Sequence, residues 1–501
     1  MSRIEVRNDW KSLAIMALFA TVTLLLVSAD SYTHGLFDHF DSATFYTCGK
    51  AWFSGMTPYV DFTDSKGPLL WLIYGVGYLL SPADYTGMLW LSCVAYALIF
   101  FWLFKTARVY LHDDGRSMVA AMLTALPVFY PWIHYETRAE DFCLFFLVWA
   151  LYHTCLIVHG SDPTRRQVGV GSAVLGVTMA STFLIKYNVS AMIGVMALFV
   201  LHRSWRKGFG ILRPLSLMAL SSVAVLTPFA IYMHATGSLM PFLNEYFVVN
   251  AQVVASQYRI MRHPVFLLWA NRYVAGLYLL VCAAGAAAPV LFINRSRWMV
   301  LAVFCTVMLL TVTNAHWLYY YALAAPFALF GFVALVQFPG HAGVSARWAV
   351  AVVTVAATVG MHLMHDESWF FRHAAEHEAF YSYSATMAQT GKRPSIIYYN
   401  TCTSAYGVPV GSLPGCKYWT SQSGALPWMD ADQRKAVERH RPDFVFVQKV
   451  DDEPEWFASL GYKRFGNDTR LPMVMYSARH LPAKQVHASA ADILLKRNLA
   501  K

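Results

Sequence analysis

Asp30, Asp38, Asp41, Asp61 and Asp64 fall within one short stretch of a chain that is otherwise basic, with a formal net charge of +10. The stretch reads Asp38-His-Phe-Asp41-Ser-Ala-Thr-Phe-Tyr46, then Gly55-Met-Thr-Pro-Tyr59-Val-Asp61-Phe-Thr-Asp64-Ser-Lys66-Gly-Pro68. A carboxylate that reaches a substrate hydroxyl can act as a general base. Aspartates also cap helices, and Asp41, just before an apolar-periodic stretch, has the form of an N-cap. His34 and His39 lie in the same stretch and could join the aspartates around a divalent ion, but they follow no recognised ligand spacing. The expectation is no required cofactor, with a divalent metal as the lesser alternative.

A second acidic cluster reads Tyr135-Glu136-Thr-Arg138-Ala-Glu140-Asp141 and opens an apolar segment. Charges beside a membrane segment are costly, so they mark a site or pair with one another. Arg138 would either neutralise Glu140 or Asp141 or contact substrate. Lys186 stands alone between two apolar runs, where a bound anion or snorkelling to lipid phosphate would explain it. Arg259, Arg262 and His263 give a later loop a basic character. The segment Asn314-Ala-His316-Trp-Leu-Tyr319-Tyr-Tyr321 adds aromatics, most of them suited to an interfacial belt, with His316 more open.

The elements that must position these residues are membrane helices. Of 501 residues, 57% are hydrophobic and only 14% charged, and mean hydropathy is +0.41. Soluble domains carry about 25% charged residues. About eleven apolar runs approach the ~20 residues a bilayer requires. They are residues 12–30, 86–105, 117–132, 141–159, 168–186, 188–202, 211–234, 272–293, 298–314, 318–337 and 347–364. Gly67 to Leu80 is apolar but short, which suits an interfacial or re-entrant helix. The basic N-terminus lacks a small-residue cleavage site after its apolar run, so it reads as an anchor and not as a cleaved signal.

Lys and Arg concentrate in alternate loops: Arg3, Arg7 and Lys11; Lys105, Arg108 and Arg116; Arg165 and Arg166; Arg203, Arg206, Lys207 and Arg213; Arg295 and Arg297; Arg347. The positive-inside rule then puts the N-terminus in the cytoplasm and the C-terminus outside. The acidic stretch, Lys186 and the loops 31–85 and 235–271 all fall on the outer side. This distribution also excludes nucleic-acid binding, which needs the basic residues gathered on a soluble face.

After Met364 apolar runs shorten to strand length, in Ser395–Tyr399 (SIIYY), Asp443–Val447 (DFVFV) and Met473–Tyr476 (MVMY), with a helix expected from Asp430 to Arg439. The organisation expected is a polytopic α-helical module over 1–364, a small extracytoplasmic α/β domain over 365–480 and a tail over 481–501. Cys402 and Cys416 would share the outer domain, where the Gly- and Pro-rich segment between them permits a disulfide.

The motifs from Asp41 to Tyr46, Gly55 to Asp61 and Asp64 to Pro68 resemble the first outer loop of bacterial GT-C membrane glycosyltransferases. The likeness is to the RgtA/B/C/D-like group, akin to protein O-mannosyltransferases and the aminoarabinose transferase of lipid A. It continues through Glu140-Asp141, Lys186-Tyr187, His316 to Pro326, Gly411-Ser-Leu-Pro-Gly415 and Arg441 to Phe446. The resemblance implies a multi-pass protein of the bacterial inner membrane. It would move a hexose or pentose, with inversion, from a polyprenyl-phosphate donor to a lipid, glycan or protein hydroxyl outside the cytoplasm. By position, Asp41 matches the catalytic acid of the loop and Lys66 its donor-phosphate contact. Glu140 or Asp141 matches a second acidic position, and Asp38 is a rival base. The departing phosphate would be held by Lys66 with some of Arg138, Lys186, Arg259 and Arg262. Membrane lipids are the remaining partners. A transporter or lipid flippase is the competing class, and a scaffold without catalysis a third.

Overall fold

The computed structural model describes residues 9–30, 40–131, 133, 136–260, 272–291, 296–312, 318–337, 344–364, 383–390, 393–401, 404–421, 426–439, 441–448, 455–465 and 473–477. Among them, seven helices are long and apolar enough to cross a membrane: Asp9–Val27, Thr86–Leu111, Ala139–His159, Arg165–Ile185, Leu212–Ala235, Tyr319–Val336 and Arg347–Met364. The chain is a polytopic helical membrane protein. The other four expected spans are helical but shorter or interrupted. Residues 117–132 break at Thr124 into Asp114–Leu123 and Ala125–Val128. Ser190–Arg206, Arg272–Leu291 and Arg297–Val312 carry the other three.

The described chain forms two compact units. The first takes Met1–Ser28, Leu91–Phe229 and Arg262–Ser368. Two of its helices start where side chains satisfy the free amides of the first turn. Asp113 Oδ1 accepts from the Arg116 amide at 2.7 Å. Thr164 and Gln167 cap each other, the Gln167 amide donating to Thr164 Oγ1 at 3.1 Å and the Thr164 amide to Gln167 Oε1 at 2.8 Å. Aromatic and polar contacts then lock the helices together. Phe19 meets Phe100 edge-on at 5.3 Å, and His362 Nε2 lies 3.0 Å from the Phe129 carbonyl.

The second unit takes Ala29–Trp90, Ala230–Met261 and Trp369–Lys501. Residues 29–90 and 230–261 thus group with the C-terminal segment in one unit. Its sheet has the order β2-β1-β3-β5-β4. These strands are β1 (Ser395–Tyr399), β2 (Leu413–Pro414), β3 (Phe444–Gln448), β4 (Lys463–Phe465) and β5 (Met473–Ser477). β1 runs parallel to β2 and β3, while β5 is antiparallel to β3 and β4. Ile397, Val437, Val445, Phe457 and Tyr476 bury its core. Helix Phe40–Phe53 packs on Pro68–Leu80 through Phe45 against Tyr74 and Tyr46 against Tyr78. Pro68–Leu80 has 13 residues. At ~1.5 Å per residue it falls short of a bilayer's ~30 Å core, consistent with keeping it out of the count of spans.

Cys416 is a free thiol packed against the sheet core. Burial pushes its pKa up. Cys402, its expected disulfide partner, lies outside the described residues. Maleimide should spare Cys416 in the folded protein and label it after denaturation without reductant. Labelling that requires prior reduction would restore the disulfide.

The orientation is tested by a fusion. A reporter at Lys501 is expected to be active only outside the cytoplasm, because the Lys- and Arg-rich loops alternate. Cytoplasmic activity would reverse the face assigned to every candidate residue.

Candidate functional site

In the second unit the loop from Gly55 to Lys66 is held by its own side chains. The Thr57 amide donates to Asp61 Oδ2 at 2.7 Å, which makes Asp61 a turn residue. Tyr59 adopts a left-handed backbone, φ 65°. Its buried ring sits on Trp71, centroids 4.6 Å apart, and its hydroxyl donates to the Lys66 carbonyl at 3.0 Å. Asp64 is buried, and the Lys66 amide donates to its Oδ2 at 3.0 Å. Burial raises the Asp64 pKa and the nearby Asp41 charge raises it further, while Lys66 and two main-chain amides work against them. The Asp41 carboxylate is therefore close enough for its charge to be felt at Asp64.

Lys66 is buried, its ammonium donating to Ser65 Oγ at 2.9 Å and lying 5.4 Å from the Phe45 ring centroid. Asp41 falls in the first turn of Phe40–Phe53. It is therefore not the N-cap expected from the sequence, because the helix already includes Phe40. A carboxylate there is still favoured by the helix dipole, by about 0.3–1 kcal/mol.

Two other segments of the unit reach the same loop. Asn250 Nδ2 donates to the Ser65 carbonyl at 2.8 Å, and the Thr63 amide to the Lys417 carbonyl at 3.1 Å. Buried Glu245, in a π-helical turn from Asn244 to Val249, binds Lys417 Nζ at 2.7 Å and accepts from the Tyr418 hydroxyl at 2.7 Å. Such turns recur at functional sites. Sequence reasoning missed Glu245, Asn250 and Tyr59. A lone acid among aromatics at 242–247 was the one available signal for Glu245.

In the first unit a separate buried cluster forms. Arg138 pairs with Glu136, Nη2 to Oε1 2.7 Å, an acid the sequence reading did not weigh for it beside Glu140, Asp141 or substrate. The two residues lie two positions apart and pair just before the helix begins. The Arg138 guanidinium lies 4.2 Å from the Tyr319 ring centroid. Asp141 is a capping residue: its Oδ2 accepts from the Arg138 amide at 2.6 Å, and its Oδ1 accepts from the Tyr96 hydroxyl. Glu140 pairs with Lys186, and its Oε2 has no hydrogen-bond partner among the described residues. Lys186 is buried over the Tyr320 ring, 3.3 Å to its centroid. The anion beside Lys186 is thus a carboxylate of the protein itself, where the sequence offered a bound anion or a lipid phosphate. The roles of Glu140 and Asp141 now separate: Asp141 holds the helix start, while Glu140 faces a cation.

The Arg259 side chain, Arg262, His316, Asp38, His34 and His39 lie outside the described residues. Among the described residues no group of three or more His, Cys, Asp and Glu is arranged to hold a metal ion.

Comparison with known proteins follows the same lines. Residues 65–232 match the family model described as dolichyl-phosphate-mannose-protein mannosyltransferase. No curated protein matches the sequence. The crystal structure of ArnT from Cupriavidus metallidurans bound to undecaprenyl phosphate is similar, with TM-score 0.62 and 12% identity over 95% of this chain and 99% of that one. The apo form of the same protein gives 0.51 at 12% identity, over 94% and 97%. The mycobacterial arabinofuranosyltransferase AftD gives 0.50 at 14% identity, covering 97% of this chain and 42% of that one.

Proposed function

We propose that this chain, a membrane protein with the GT-C fold, is a glycosyltransferase that moves a sugar from a polyprenyl-phosphate donor to an acceptor hydroxyl outside the cytoplasm. The observation that carries the reading is the joint placement of Asp41, Asp64 and Lys66 in one unit, around a loop cross-braced by Asp61 and Tyr59. The match of residues 65–232 to a mannosyltransferase family model supports it. So does undecaprenyl phosphate in the similar ArnT structure.

Asp41 takes the proton from the acceptor hydroxyl as that oxygen attacks the anomeric carbon. The bond between that carbon and the phosphate oxygen breaks, its electron pair leaves with the prenyl phosphate, and attack from the opposite face inverts the centre. Lys66 holds the developing negative charge, and such stabilisation of a leaving group is commonly the largest single contribution to catalysis. Asp64 keeps its carboxylate on the main chain of the loop and so fixes where Lys66 starts. Arg138, Glu140, Asp141, Lys186 and Tyr319 form a second group with largely internal charge balance. They serve substrate through shape and aromatic faces more than through free charge.

Purified protein incubated with labelled prenyl-phosphate sugars should release prenyl phosphate when an acceptor hydroxyl is supplied. Binding without release from any donor would favour a carrier of glycan precursors instead.

A further inference from the structure

We propose that a hollow between the basic ends of helices Arg165–Ile185 and Leu212–Ala235 holds the phosphodiester headgroup of an anionic phospholipid, with its acyl chains lying along Leu212–Ala235. The hollow, of about 90 Å³, is lined by Arg165, Gly169, Ser204, Phe209, Arg213 and neighbouring apolar groups. It lies at the ends of two membrane helices, the depth at which headgroups sit.

The packing of the two helices opens the space. At Gly176 they are in backbone contact: a Cβ there would sit 2.2 Å from the Met218 carbonyl oxygen, and Ser222 Oγ donates to the Gly176 carbonyl at 2.9 Å. Two turns nearer the basic end, a Cβ on Gly169 would meet only Leu217 Cδ1, at 3.6 Å. The connecting turn closes the far side. Gly208 and Gly210 both have positive φ, 71° and 73°, a conformation that costs glycine little. Ser204 Oγ donates to the Gly210 carbonyl at 2.6 Å, and Phe209 between the two glycines has its ring centroid 5.4 Å from the Arg165 guanidinium.

The charges there await an anion. Arg165 and Arg213 have no carboxylate partner among the described residues. Nearby Asp162 is engaged by Lys207 at 2.9 Å, and Arg203 by the carbonyls of Gly160 and Ser161. Basic pockets between membrane helices commonly bind anionic headgroups.

The adjoining surface favours a lipid over a free phosphate. Only 6% of the apolar window of Leu212–Ala235 is buried. Leu212, Leu215, Leu220 and Val223 are exposed along it. A diacyl chain pair covers that face, and inorganic phosphate does not.

The test uses the full chain in detergent with dioleoyl phosphatidylglycerol, dioleoyl phosphatidylcholine and inorganic phosphate as separate probes. Bound lipid is read by native mass spectrometry and by the shift in unfolding midpoint. Phosphatidylglycerol should bind and stabilise, with the zwitterionic lipid and phosphate far weaker. Combined Arg165→Gln and Arg213→Gln should weaken phosphatidylglycerol binding about thirty-fold. Arg166→Gln, one position on in the helix but outside the hollow, should leave it near wild type. Gly169→Leu fills the hollow without changing charge and should also abolish the shift, which decides the matter if the double variant fails to fold. Wild-type binding by either hollow variant, or equal binding of the zwitterionic lipid, overturns the proposal. Stabilisation by phosphate equal to that by phosphatidylglycerol overturns it too, and assigns the hollow to a free anion.

Discussion

Asp41→Asn is expected to lower sugar transfer by at least ~10²-fold, the lower end of general-base catalysis, while the protein still folds and inserts. Asparagine keeps the size of the side chain and its place in the first turn of Phe40–Phe53. What it loses there is a favourable charge–dipole contact of about 0.3–1 kcal/mol, too little to unfold the unit. What it cannot do is accept the acceptor's proton. The variant should also relieve Asp64, whose pKa is held up in part by the Asp41 charge, so the Asp64 pKa should fall. Asp38→Asn is the matched control in the same loop. Near-normal turnover by Asp41→Asn with a verified donor, alongside a dead Asp38→Asn, would move the base to Asp38. If neither substitution matters, the assignment of the acidic loop as the chemical centre is wrong.

Lys186→Met should destabilise the first unit by about 3–5 kcal/mol, the cost of stranding one member of a buried ion pair. Glu140 is 1% exposed, its Oε1 bound to Lys186 and its Oε2 without a hydrogen-bond partner among the described residues. Removing the ammonium leaves a carboxylate with nothing to balance it. Adding Glu140→Gln should recover most of the loss, because the pair then disappears as a pair. Denaturant or thermal unfolding in detergent measures both variants. A single-variant cost below about 1 kcal/mol, the range of an exposed pair, would mean water reaches the site. The stable double variant then carries the functional question. If it folds yet no longer turns over, the cation acts on substrate as well as on Glu140.

Hydropathy made the long helices legible, since burial in lipid demands an unbroken apolar run. Thr86–Leu111 and Ala139–His159 begin within two residues of the expected starts. Three strands were equally plain, because β1, β3 and β5 each hold four consecutive apolar residues. β2 and β4, with two and three residues, are too short to show any period. The 3-10 geometry of Leu318–Phe327 was also invisible, since it changes hydrogen bonding without changing composition. In the sites, the residue types were readable but their partners were not. Glu140 and Lys186 are 46 positions apart, and only the folding back of one helix against the next brings them together. Glu136 is as close in sequence to Arg138 as Glu140 is, yet spacing on a helix could not find it because the pair precedes the helix.

The second unit also imposes a schedule on synthesis. Thr44 Oγ1 and Ser404 Oγ lie 2.9 Å apart although 360 positions separate them in the chain. A ribosome adding about 5–20 residues per second needs on the order of 20–70 s to bridge that interval. Throughout it the aspartate loop is already on its side of the membrane, without the strands and the Lys417–Tyr418 segment that brace it. The bracing of that loop therefore arrives last, with the C-terminal segment, and a chain released after Met364 would carry all seven long apolar helices of the described residues without the segments that hold the loop.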